Sequence, residues 1–173
     1  MTSVVIPYVE APGVPQALSL AMLGDVLAAS SPVGDARVAT SDGDAATLAG
    51  DAGADVTDSV ASGLADVEPG AILIVHSNVP CAVPDDLRAL LAATPAGGIA
   101  AVEGPDGTTN ALSISAAETY APLDASRVRA HARELGLDFV SVAIPNLADD
   151  VDTEADVHRL QLRLGPRSQA CIA

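Results

Sequence analysis

Two aspartates one residue apart, Asp150 and Asp152, carry the clearest chemical signal in the sequence, within "ADDVDTEADVHRL" at 148–160. On an extended backbone, residues two apart point to the same side. Both carboxylates then face one way, while Val151 faces the core. Two hard oxygen donors on one face suit a magnesium-like cation whose other positions are filled by phosphate and water. Thr153, with Asp156 three residues on, reads as a capping box at the start of a helix. Acidic decoration beside a helix N-terminus, which the helix dipole favours, would give the same spelling.

Two more polar segments could meet this one. In "VHSNVPC" a buried strand ends in Ser77 and Asn78, with Pro80 two residues on. An α/β nucleotide enzyme places its first metal ligand there, so Asn78 is a candidate third ligand through its amide oxygen. Plain turn chemistry also uses Asn and Pro. His76 reads as a core or rim histidine. In "GPDGTTNALSI", Gly104, Gly107 and the Pro105–Asp106 pair make a tight turn. Thr108, Thr109 and Asn110 offer hydroxyl and amide groups at the mouth of the next strand. Gly107, Thr109 and Asn110 are the candidate substrate-binding residues; a plain hairpin loop, the reading the segment favours on its own, gives the same spelling. No GxGxxG, Walker loop or GxSxG elbow occurs. Cys81 and Cys171 make no metal or disulfide framework. His131 and His158 fall on helices and are read as solvated.

These segments need elements to position them. Apolar runs with β-branched residues alternate with helical patterns. Strands are expected at "VVIPY", "ARVAT", weakly at 54–57, then at "AILIVHS", "GGIAAVEG", "NALSISA" and "DFVSVAI". Helices are expected at "VPQALSLAMLGDVLAAS", in short pieces between 41 and 70, and at "VPDDLRALLAAT", "LDASRVRAHARELG" and "TEADVHRLQLRLG". Strand alternating with helix predicts an α/β fold, with a mixed, mostly parallel sheet between helices. Ligands in such sheets bind beyond the strand C-termini, where the three polar segments lie. Residues 1–173 read as one domain, with no repeat and no linker.

The 173 residues carry 23 acids against 8 bases, a formal charge of −15, and every base is Arg. Nucleic acid is excluded as a partner, since a phosphate backbone needs a basic patch. No apolar run reaches the length of a membrane span, and the start has no basic n-region. The expectation is a cytoplasmic protein without a membrane partner. Lysine-free, Asp-rich composition suits a salt-rich, halophilic cytoplasm; GC-rich codon bias yields it as well.

Taken together, "VVIP", "AMLGDVL", "GTTNAL", "ARELG" and "LADDVDTEADV" resemble the 2-phospho-L-lactate guanylyltransferases. The match runs almost without gaps from 109 to 157 and is weak from 33 to 68. The resemblance implies a nucleotide-diphospho-sugar-transferase-like three-layer sandwich. It also implies guanylyl transfer from GTP to phospholactate or phosphoenolpyruvate, for a deazaflavin coenzyme. Of three magnesium-binding aspartates in that family, the last two correspond to Asp150 and Asp152, the catalytic residues implied here. Thr109 matches a residue that contacts the acidic substrate. GTP and a small phosphorylated acid are the partners implied, and a homodimer is left open.

The chain departs from that pattern at three places. Asn78 stands where the family has its first metal aspartate. The N-terminal loop "YVEAPGVPQ" has Glu10 and lacks the Lys and Arg that clamp the triphosphate. Pro122 and Asp124 fall where the family has a Gly and a Ser against substrate. Two readings follow: an active nucleotidyltransferase, or a catalytically degenerate paralogue that binds or regulates a partner. Independently of function, a lysine-free chain at −15 repels itself when counterions are scarce. The melting temperature is expected to rise steeply from dilute buffer to molar KCl; a flat profile would leave codon bias as the origin of the composition.

Overall fold

The computed structural model describes residues 2–65, 67–120 and 125–173; Pro122 and Asp124 lie outside the described residues. The strands are β1 (Ser3–Pro7), β2 (Asp35–Ala39), β3 (Asp55–Thr57), β4 (Ile72–Val75), β5 (Ile99–Glu103), β6 (Thr109–Ile114) and β7 (Phe139–Ser141). They form one seven-stranded sheet in the order β3-β2-β1-β4-β6-β5-β7. β1 to β4 run parallel, as do β5 and β7, and β6 is antiparallel to both β4 and β5. The expected α/β fold with a mixed, mostly parallel sheet is therefore present.

Its central strands β1 and β4 are buried on both faces because helices cover both. On one face α1 (Gln16–Ser30), α2 (Gly43–Asp51), α4 (Pro84–Ala93) and the short α6 (Pro145–Ala148) bury Leu23, Ala45, Leu87 and Leu147 against Val4, Leu73 and Val102. On the other face α3 (Val60–Ala65) and α5 (Ala125–Glu134) bury Leu64 and Val128 against Ile74, Ile99 and Leu112. A third, smaller core joins Ala11, Leu18, Met22 and Cys81 to Val151, Val157, Leu160 and Leu164. No helix among the described residues is long and apolar enough to cross a membrane.

The antiparallel strand decides where the polar segments meet. Five residues, 104–108, connect β5 to β6, which is too short for a parallel crossover. The turn closes through Gly104 N–H to Thr108 O at 2.7 Å and Gly107 N–H to Gly104 O at 3.1 Å. Gly107 has φ +88°, a conformation that favours glycine. The start of β6 thus lies at the same sheet edge as the ends of β1, β4 and β5.

The C-terminal region differs from expectation. α7 (Glu154–Leu160) is shorter than the helix expected over "TEADVHRLQLRLG", and a separate α8 (Pro166–Ile172) follows it. α8 has no apolar stripe to announce it; its first turn is capped from another helix. Asp25 on α1, 5% exposed, accepts the backbone N–H groups of Arg167 and Ser168, both at 2.9 Å. A Cβ on Gly165 would lie 2.3 Å from the Asp25 carboxyl carbon, so the approach requires glycine. His131 is also not simply solvated, since its Nε2 is buried with no hydrogen-bond partner. Asp25→Ala would strand two N–H groups of α8 without their charged acceptor. It is expected to lower unfolding free energy by about 2–4 kcal/mol in urea denaturation at molar KCl.

Candidate metal and substrate site

The segment from Asp149 to Thr153 is held at the sheet edge from several sides. Val151, fully buried, inserts into the third core. Its N–H donates to Asn78 O at 2.9 Å, tying the segment to the turn after β4. From the opposite side Gly13 N–H donates to Asp152 O at 3.0 Å, and Gly13 bridges to Thr153. A Cβ at Gly13 would lie 2.6 Å from that oxygen. The N-terminal loop is itself tied to the turn after β4: Val9 N–H donates to Ser77 Oγ at 2.8 Å.

With Val151 turned inward, Asp150 and Asp152 face outward together, as the extended reading predicts. A carboxylate oxygen from each, and one from Asp106, lie within 4.8 Å of one another. Asp106 comes from the β5–β6 turn. Its Oδ1 accepts the Thr108 N–H at 2.9 Å, and its Oδ2 accepts the Thr108 hydroxyl at 2.8 Å. Sequence reasoning missed Asp106 as a site residue. It reads there as turn chemistry, and only the antiparallel return of β6 brings it beside the other two.

Asn78 borders this cluster: its Nδ2 donates to Asp152 Oδ1 at 2.8 Å. The residue is 3% exposed and its Oδ1 is buried without a partner. Two further buried polar atoms lack partners at the start of β6, Thr109 Oγ1 and Asn110 Oδ1. The Asn110 amide donates to Ala148 O at 3.1 Å. A Cβ on Gly104 would lie 3.0 Å from Asn110 Nδ2 and 3.1 Å from Asp106 Oδ1, so these two groups are near neighbours. Gly107 contributes the turn backbone. Asn78, Gly107, Thr109, Asn110, Asp150 and Asp152 therefore share one sheet edge.

The arginines nearest the acidic segment are engaged. Asp149 accepts from Arg159 at 2.6 Å and from Arg163 at 2.7 Å. Arg159 also reaches Asp156 at 3.0 Å. Asp156 in turn completes the predicted capping box with Thr153. Burial opposes ionisation of Asp149, yet its arginines hold the carboxyl below the ordinary range. Burial likewise opposes ionisation of Asp156, which the Thr153 hydroxyl and Arg159 bring below it. Asp106 is lowered by the Thr108 N–H and hydroxyl. Asp150 goes the other way: burial first, then the charge of Asp152, raise its carboxyl. Burial alone pushes His76 down to about 4, so its imidazole is neutral at pH 7.

Among curated proteins the chain is 36% identical over 157 residues to a phosphoenolpyruvate guanylyltransferase of Roseiflexus castenholzii, covering 82% of this chain and 73% of that one. The chain belongs to the phosphoenolpyruvate guanylyltransferase family. A second member, from Sphaerobacter thermophilus, is 35% identical over 94 residues, 51% of this chain and 45% of its own. No family model matches the chain. Solved structures agree on the fold. One is a nucleotidyl transferase from Methanothermobacter, with TM-score 0.69, 14% identity and coverage of 94% and 96% of the two chains. Another, from Desulfovibrio desulfuricans and assigned as a nucleotide-diphospho-sugar transferase, has TM-score 0.70, 12% identity and coverage of 99% and 94%. A third is glucosyl-3-phosphoglycerate synthase from Mycobacterium tuberculosis, holding Mn2+ and uridine diphosphate, with TM-score 0.62, 16% identity and coverage of 82% and 68%. The resemblance to the guanylyltransferases is thus borne out. Both curated relatives carry the phosphoenolpyruvate name rather than the phospholactate one.

The opposed carboxyl shifts give a pH test. Asp150 binds its proton more tightly in the folded state, so its ionisation costs stability at neutral pH. That cost vanishes as pH falls to the ordinary carboxylate range near about 4. Asp106, Asp149 and Asp156 contribute stability at neutral pH that is lost as pH falls through their lowered values. In metal-free buffer Asp150→Asn is expected to melt above the wild type at pH 7, with the gap closing towards pH of about 4. Asp149→Asn is expected to melt below it at pH 7. Thermal scans across pH check both signs.

Proposed function

We propose that residues 1–173 act as one nucleotidyltransferase-like domain, transferring a guanylyl group from GTP to a small phosphorylated acid. Phosphoenolpyruvate is the acceptor favoured by the names of the relatives, and 2-phospholactate is the alternative. An acceptor phosphate oxygen attacks the α-phosphorus, the bond from that phosphorus to the bridging oxygen breaks, and pyrophosphate leaves. A phosphate monoester is largely ionised at pH 7, so its oxygen needs no general base. A neutral, half-buried His76 is compatible with that chemistry.

The observation that carries the proposal is the coincidence of outward carboxylates with unpartnered buried polar atoms at one sheet edge. The donors fit magnesium: all are oxygens, and a buried amide oxygen on Asn78 stands without a partner beside Asp152. Asp150, Asp152 and Asn78 would hold the ion. When bound, it supplies positive charge against the phosphates. The Thr109 hydroxyl is the free donor for the acceptor's oxygens, Asn110 lies next to it on β6, and Gly107 supplies the positive φ that the turn beside them needs. The lysine-free, acidic composition supports the reading of a salt-rich cytoplasm, with GC-rich codon bias as the alternative.

One feature favours the second reading, a degenerate paralogue that binds or regulates a partner. The loop from Tyr8 to Pro15 carries no cation, has Glu10 exposed, and is fastened directly to Asp152. A charge-assisted contact is worth about 1.5–3 kcal/mol, so losing two or three slows GTP use severely. Pyrophosphate release with GTP, magnesium and each acceptor at molar KCl is expected at least ~10³-fold below a family enzyme with the cationic loop. The residual rate is expected to require acceptor and to vanish in Asp150→Asn/Asp152→Asn. No release with either acceptor, from protein that still binds GTP or acceptor, would leave the binding role in its place.

A further inference from the structure

In a magnesium site built on Asp150 and Asp152, the turn after β4 contributes no charge, because Asn78 is neutral. A hard divalent cation is held mainly by the number of carboxylates that reach it. Asp106, on the other side of the cluster, is within reach. Its carboxylate is 4.8 Å or less from those of Asp150 and Asp152, and both of its oxygens are oriented by Thr108. Each of those oxygens keeps a lone pair for an ion.

The independent observation is on Asn78. Its side chain is 97% buried (3% exposed) and lies against Asp152, yet its carbonyl oxygen has no partner. An orphaned buried acceptor costs stability unless something meets it. Rotation of the amide about its last bond exchanges Nδ2 for Oδ1 at the Asp152 side. That is unfavourable against a bare carboxylate and favourable against a carboxylate holding a cation. Three carboxylates and one amide oxygen make an all-oxygen donor set without His or Cys, which selects magnesium or manganese over zinc.

We propose that Asp106 is the third charged ligand of the metal site, so that the β5–β6 turn supplies the charge the β4 turn lacks. This rests on the reading of Asp150 and Asp152 as metal ligands and adds the residue that completes them. The site then takes up a divalent cation before any nucleotide arrives. Asp106 is exposed on a turn and outside every core, so its substitution leaves the fold in place.

The test is Mn2+ binding to the full chain at molar KCl without nucleotide, read as free Mn2+ by electron paramagnetic resonance. Melting temperature is measured alongside to confirm folding. Asp106→Asn is expected to weaken binding by about tenfold or more. Asn78→Asp/Asp106→Asn returns the charge to the β4 turn and is expected to restore most of the affinity. If Asp106→Asn binds like the wild type while Asp150→Ala/Asp152→Ala does not, the proposal fails and the two-carboxylate site stands. If the double alanine variant also binds like the wild type, the metal reading itself fails. If Asp106→Asn is weak and the exchange restores nothing, the charge has not moved between the turns and the proposal is overturned.

Discussion

A backbone hydrogen bond of 2.9 Å, from Val151 N–H to Asn78 O, joins the two halves of the site. It needs Val151 turned into the third core, and that burial turns Asp150 and Asp152 outward. It also sets the Asn78 amide against Asp152. The remaining ties act on the same short segment. Gly13 closes on Asp152 from the N-terminal loop, and Asp156 caps the helix that follows. The acidic pair is therefore placed by packing and backbone pairing, with its repulsion accepted locally. The raised carboxyl of Asp150 is the cost of that placement.

Charge in this region is compensated unevenly. Arg159 and Arg163 neutralise Asp149, which lies beside the pair but turns the other way. No such partner meets Asp106, Asp150 or Asp152 among the described ion pairs. A surface that is acidic throughout explains neither the convergence of these three nor the unpartnered oxygens beside them. Under the proposed function, a cation answers both. The N-terminal loop is fastened to Asp152 and carries no base; under the proposed function, positive charge at the phosphates is left to metal ions.

Much of this arrangement was legible in the sequence, for identifiable reasons. Strands such as "AILIV", apolar on both faces, announce a covered parallel sheet, and the spacing of Asp150, Val151 and Asp152 announces their alternation. The capping of Thr153 by Asp156 is local and was read directly. What was not legible depends on distant partners. α8 exists because Asp25, 142 residues before Arg167, caps it across the fold. Asp106 joins the site because β6 returns antiparallel, and a "PDG" turn is spelled the same way whether or not a cation lies beside it. The burial of Asn78 and Thr109 with unpartnered oxygens is likewise a property of the packed molecule.

Anomalous diffraction at the manganese edge, from crystals grown with Mn2+ at high salt, tests the central claim most directly. The expected result is one peak at about 2.0–2.2 Å from carboxylate oxygens of Asp106, Asp150 and Asp152, with the Asn78 amide oxygen turned towards it. A peak bound by Asp150 and Asp152 with Asp106 pointing away, or no peak at this sheet edge, would contradict it.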